Sequence, residues 1–189
     1  MIKSEDFKSE FKILAGVDKQ VLLRADETIV RHGEGSAITL ADGSILMLWT
    51  EHFRSGYVPD DERRDRKLDG GGDDNYGRIS SMISRDGGVT WGERKVAVDD
   101  KDALLNCMSP ALTRLADGKL LLAYSWRSGG NPSPGHPGIT NGAAQRRVRI
   151  SADEGTSWSE PTVISPADGN YHTGCHDRAY TLPSGRVLV

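Results

Sequence analysis

Ser84-Arg85-Asp86-Gly87-Gly88-Val89-Thr90-Trp91 returns as Ser151-Ala152-Asp153-Glu154-Gly155-Thr156-Ser157-Trp158. Both copies read Ser-x-Asp-x-Gly-x-(Thr/Ser)-Trp over the same span. The pattern describes a self-contained hairpin turn. The Asp carboxylate and the Ser hydroxyl can hold backbone N–H groups of the turn. The Gly takes the positive φ that other residues resist. The Trp folds back as an apolar plug whose indole N–H needs a partner. Strand-like runs precede the turn (79–83 and 147–150) and follow it (95–98 and 161–164). These residues are read as structural: they fix architecture and do no chemistry.

Working outward, each copy is preceded by a hairpin. Gly35–Leu40, the turn Ala41-Asp42-Gly43 and Ser44–Thr50 form the first. Ser109–Leu115, Ala116-Asp117-Gly118 and Lys119–Trp126 form the second, and Asp177–Leu182, Pro183-Ser184-Gly185 and Arg186–Val189 open a third. Asp-Gly is a strong turn signal. The spacing from each Ser-x-Asp turn to the next hairpin turn is the same in both repeats. All length variation falls in one loop, residues 52–76 in the first unit and 128–144 in the second. Four strands per unit at a period of roughly 70 residues, with variation confined to one face, predicts an all-β protein built of β-propeller blades. Residues 1–189 are read as one partial propeller domain: blade 1 over about 35–99, blade 2 over about 107–165, and the start of blade 3 over about 176–189. Propellers typically close with 4–8 blades. The chain is therefore expected to be the N-terminal part of a longer propeller, able to self-associate through open apolar edges. Ahead of the first blade, Phe7, Phe11 and Leu14 sit at near-helical spacing, and Val21-Leu22-Leu23 reads as a strand.

Composition agrees. Aromatic residues are 6% and glycines number 22 in 189 residues, which suits a turn-rich β protein. Net charge is −3, with 24 basic and 27 acidic residues mixed along the chain, so neither a nucleic-acid footprint nor a membrane-binding basic face is expected. Met1–Lys12 has no apolar core of a signal peptide, leaving a cytoplasmic protein or a secreted one with its signal removed. Cys107 and Cys175 sit in repeat-equivalent neighbourhoods, as a disulfide or as buried free thiols. His172, Cys175, His176 and Asp177 are metal-ligand types, but their spacing fits no closed zinc pattern. No metal and no cofactor is expected.

In a blade, strands run alternately up and down from the central axis outward. The hairpin turns and the Ser-x-Asp turns thus share one face. The entrances to the innermost strands and the long loops share the other. Polar residues at those entrances gather from every blade into one pocket. Arg31, Glu34, Glu51, His52, Arg54, Asp73, Asp74, Asn106, Arg127, His136, His176, Asp177 and Arg178 all lie in such segments.

The repeated octapeptide resembles the Asp-box, or BNR repeat, of the sialidase (neuraminidase) superfamily, carried by Ser84, Asp86, Gly88 and Trp91 and again by Ser151, Asp153, Gly155 and Trp158. The resemblance implies a six-bladed propeller and a glycoside hydrolase that releases a terminal acidic sugar from a glycan. Family members carry an Arg just before the first strand of the first blade, in a triad gripping the sugar carboxylate. Arg31 is the match by position, although the usual Arg-Ile-Pro is absent. They also carry an acid/base Asp before the third strand of that blade, where Asp73 or Asp74 stands. A guanidinium fork suits a carboxylate because two N–H groups meet two oxygens. Glu34, Glu51, Arg54, Asn106, His176, Asp177 and Arg178 are the expected substrate-binding residues. Arg178 could equally pair with Asp177. The family's nucleophile, a Tyr activated by a Glu, belongs to late blades, and none of the five Tyr here takes that role. The competing reading is a non-catalytic Asp-box propeller that binds glycan or protein, because fold does not fix function.

Overall fold

The computed structural model describes residues 21–54, 56–57, 73, 75–103, 105–128, 144–166 and 171–189. Ten strands are found among them: β1 (Ile29–Thr39), β2 (Ile45–Phe53), β3 (Gly77–Ser84), β4 (Lys95–Val98), β5 (Asn106–Arg114), β6 (Leu120–Arg127), β7 (Ala144–Ser151), β8 (Thr162–Val163), β9 (Tyr180–Thr181) and β10 (Val187–Leu188). β1 to β4 form one antiparallel meander and β5 to β8 a second. Among the described residues one parallel bridge, Gly77 to Asn106, joins them. β9 and β10 make a separate hairpin. The innermost strands β1, β5 and β9 lie side by side, β1 packing on β5 and β5 on β9. This is a partial β-propeller.

The Asp-boxes close as their chemistry requires. In the first, Ser84 Oγ donates to Asp86 (2.9 Å) and accepts from the Gly88 N–H (2.8 Å). Asp86 also receives the Thr90 N–H (2.8 Å) and hydroxyl (2.5 Å). The Trp91 indole finds its partner in the Gly88 carbonyl at 3.1 Å. The second box repeats the set with Ser151, Asp153, Gly155 and Ser157. Bonds from Thr90 or Ser157 hold both carboxyls at about 2, far below the ordinary 3.8.

Why β6 reads as an unbroken apolar run is visible in its two faces. Leu120, Leu122, Tyr124 and Trp126 pack with Leu46, Leu48 and Ile79 of the first meander. Leu121 and Ala123 turn the other way, onto Ala111, Ala179 and Val187. Each side of the strand buries against a neighbouring blade, so the two-residue period that marks a half-exposed strand disappears.

Charges also enter this interior. Asp100 accepts from Tyr124 (2.7 Å), Arg147 (3.1 Å) and Arg149 (2.5 Å). Arg147 reaches Asp102 at 2.8 Å and lies 4.2 Å over the Trp126 ring. Burial and the Asp100 carboxylate push the Tyr124 hydroxyl well above its ordinary range.

Several expectations change. β1 begins at Ile29 rather than Gly35. Val21-Leu22-Leu23 is not a strand, and Val21 and Leu22 are exposed, with no strand partner among the described residues. Cys107 is buried, but Cys175 is exposed and both are free thiols, so neither a disulfide nor a second buried thiol is found. The expected helix about Phe7 lies outside the described residues. Among the described residues, no helix is long and apolar enough to cross a membrane.

Candidate functional site

Two of the innermost strands, β1 and β5, are interrupted near their entrance. The β1–β2 register shifts between Gly33 and Ser36, and the β5–β6 register between Met108 and Ala111. Inside these bulges Glu34 (φ 55°) and Ser109 (φ 56°) adopt the left-handed conformation. Asp177 (φ 51°) does so ahead of β9. A non-glycine residue held there costs about 1–2 kcal/mol. Such outliers and bulges gather where a side chain must be re-aimed.

The re-aiming brings Glu34 to the second strand. Its Oε2 accepts from the Thr50 hydroxyl at 2.8 Å and from Ser109 Oγ at 3.5 Å. Thr50 Oγ1 in turn accepts the Ser109 N–H at 3.0 Å. His52 lies 3.7 Å from the same Oε2. Burial works to raise the Glu34 carboxyl, but the His52 ring, the Thr50 hydroxyl and the Arg31 charge outweigh it and hold it at about 2.

Arg31 completes the cluster. Its guanidinium lies 2.9 Å from His52 Nε2 and donates to the Asp73 carboxylate. His52 Nδ1 is buried without a hydrogen-bond partner among the described residues. Arg31 and Asp73 are about half exposed, 46% and 52%. An exposed pair of this kind contributes only about 0–1 kcal/mol, so a ligand carboxylate can take over the fork at little cost. Glu34, His52 and Asp73 have ligand atoms within 4.8 Å of one another, a set able to hold a cation. Here the Arg31 guanidinium supplies the positive charge.

Asn106 and Arg127 meet Asp73 from the second meander. Asn106 Nδ2 donates to the Asp73 carbonyl at 2.7 Å and to the Asn75 carbonyl at 3.0 Å. Arg127 donates to the same Asp73 carbonyl at 2.6 Å.

Other residues named from the sequence go elsewhere. Glu51 is fully buried on the opposite side of β2 from Thr50 and His52, held by Arg78 at 2.9 Å and Arg94 at 3.1 Å. Arg54 is exposed, and its N–H donates to the Thr28 carbonyl. The Asp177 carboxylate accepts from Ser36 Oγ at 2.7 Å, and its N–H donates to the Pro110 carbonyl. It ties the third inner strand to the first two rather than pairing with Arg178. His176 and Arg178 are exposed in a shallow depression with Gly35, Tyr180 and Leu188. Asp74 and His136 lie outside the described residues. Thr50 and Ser109 were not anticipated, and His52 was not singled out. The period of β2 offered a signal for two of them, since Thr50 and His52 share a face that Glu51 leaves.

The hairpin turns and Asp-boxes sit at the opposite end. Glu154 of the second box accepts the Ala41 N–H of the first turn at 2.9 Å and a guanidinium N–H of Arg114 at 2.7 Å. Scaffold contacts and the ionisable cluster are thus separated.

No protein-family model matches the chain. A sialidase of Micromonospora viridifaciens is 38% identical over 73 residues, which cover 39% of this chain and 10% of that protein. The NanB sialidase of Streptococcus pneumoniae, as its K499G mutant, superposes with a TM-score of 0.61 at 13% identity, over 98% of this chain and 44% of that one. A protein of unknown function from Dyadobacter fermentans superposes with a TM-score of 0.57 at 23% identity, over 88% and 48%. The chain spans less than half the length of these proteins.

Proposed function

We propose, for a chain that is a partial homologue of the sialidases, that the axial cluster grips the carboxylate of a terminal acidic sugar. The whole protein would then release that sugar from a glycan as an exo-glycosidase with retention. The observation that carries this reading is the meeting of the Arg31 guanidinium with the Asp73 carboxylate at the entrance end of the inner strands. Arg31 binds the sugar carboxylate through its fork. Asp73 or Asp74 serves as acid/base. Glu34 keeps its charge beside Arg31 at any ordinary pH and fixes the floor of the pocket through Thr50 and Ser109.

When a substrate carboxylate engages Arg31, the Asp73 carboxyl gives up that partner and is left to face the glycosidic oxygen, where leaving-group protonation takes place.

The test uses the whole protein and an aryl sialoside. Asp73→Ala and Asp74→Ala are each compared with wild type, with circular dichroism as the check on folding. Loss of turnover in one of them, with the fold intact, is expected. Unchanged turnover in both removes the acid/base assignment. Binding of free sialic acid by a wild type that does not turn over would favour the non-catalytic propeller.

A further inference from the structure

Two buried side chains converge on one main-chain oxygen. Asn106 is 1% exposed and Arg127 2% exposed, and both donate to the carbonyl of Asp73, at 2.7 and 2.6 Å. Asn106 spends its second N–H on the Asn75 carbonyl. Its place against the loop depends on Gly77. A Cβ at 77 would stand 3.2 Å from the Asn106 Cβ and 3.1 Å from the Glu51 carbonyl, so the parallel bridge between the meanders passes through a glycine. Arg127 is a full charge taken out of water, and it sits 5.6 Å below the Tyr171 ring. Burying a guanidinium is expensive, and this one directs Nη1 at a backbone oxygen whose own residue is half exposed.

We propose that Asn106 and Arg127 are positioning residues for Asp73, so that the second blade sets where the first blade's acid is presented. The proposal rests on the reading of this cluster as the acid/base and carboxylate site, and it gives Asn106 a role other than contact with the sugar. The carbonyl clamp fixes the Asp73 backbone while leaving its carboxylate half exposed at Arg31. Donors from β5 and β6 reach across the bridge, so the geometry of the site depends on how the two blades pack. The Arg127 bond is charge-assisted, a class roughly twice as strong as neutral bonds such as that of Asn106. A misplacement of about 1 Å at a reacting group can cost about 100-fold in rate.

The experiment takes the whole protein with Asn106→Leu, Arg127→Met and Arg127→Lys. The first two remove the donors at similar volume; the third keeps one. Aryl sialoside turnover should fall about 10- to 100-fold in kcat for Asn106→Leu and Arg127→Met, with KM within about threefold, and Arg127→Lys should recover part of the loss. Hydrogen exchange over residues 73–79 supplies a readout that needs no activity. It should quicken at least about tenfold in the first two variants while β6 exchanges as in wild type. If exchange over 73–79 is unchanged, the proposal is overturned whatever the kinetics. Faster exchange spread equally through β5 and β6 also overturns it, because the two side chains would then support the fold and not the loop. A wild type without turnover whose exchange still responds as expected would refute the hydrolase reading and leave the clamp standing.

Discussion

Glu34→Gln separates charge from shape at the centre of the cluster. Gln can still accept the Thr50 hydroxyl, but it no longer answers Arg31 and His52 with a negative charge. The Glu34 carboxyl moves from 4.5 to about 2 on folding. At 1.36 kcal/mol per pH unit this is at most about 3 kcal/mol. The 19% of the side chain still in water reduces it to about 2 kcal/mol. The sign follows from proton binding. Near pH 3 to 4 the unfolded carboxyl holds its proton more tightly than the folded one, so acid favours unfolding. The contribution is complete above about pH 5, falls below half near pH 3, and is gone below about pH 2. Urea unfolding of wild type and variant at pH 7, 4 and 3 reads it directly. With a slope of about 2 kcal/mol/M, the variant's midpoint should sit about 1 M lower at pH 7 and converge on wild type as pH falls. A midpoint difference that is the same at pH 7 and pH 3, or none at pH 7, would refute the reasoning.

Further expectations concern the scaffold and the grip. Asp100→Ala leaves the Tyr124 O–H without its acceptor and removes a carboxylate from Arg147 and Arg149; it should cost about 3–5 kcal/mol in chemical denaturation, against about 1 kcal/mol for Tyr124→Phe. Gly155 has φ 81° and a Cβ there would stand 2.5 Å from Leu46 Cδ2, whereas Gly118 at φ 87° faces open space. Gly155→Ala should therefore cost about 2–5 kcal/mol and Gly118→Ala only about 1–2 by the same assay; equal costs would show that packing at Leu46 contributes nothing. Arg31→Lys keeps the charge but loses the fork, so KM for an aryl sialoside should rise about tenfold or more with kcat changed less.

What the sequence made legible was the turn chemistry. Ser, Asp, Gly and Trp at fixed spacing satisfy one another within eight residues, so no distant information is needed to read them. The run from Leu120 to Trp126 was legible as a strand for the same local reason. The entrance of β1 was not, because Arg31-His32-Gly33-Glu34 carries no apolar alternation and its bulge depends on contacts with Thr50 and Ser109. Arg147 and Arg149 look like the solvent side of an amphipathic strand. They are drawn inward by Asp100, which belongs to the connection between meanders and whose approach no local pattern announces. Arg31 was named by position, and Glu34 and Asn106 as pocket residues; that Asn106 faces a carbonyl, and Glu51 two arginines, are facts of tertiary packing.

The most direct test of the proposed site compares an aryl sialoside with the same compound whose carboxylate is converted to the carboxamide, using the whole protein. Arg31 as the grip requires the negative charge. The acid should be cleaved with a kcat/KM about 100-fold or more above the amide, a gap worth about 2.7 kcal/mol, and Arg31→Ala should close most of it. Equal cleavage of the two, or a gap that survives in Arg31→Ala, would contradict the assignment of this cluster to an acidic sugar.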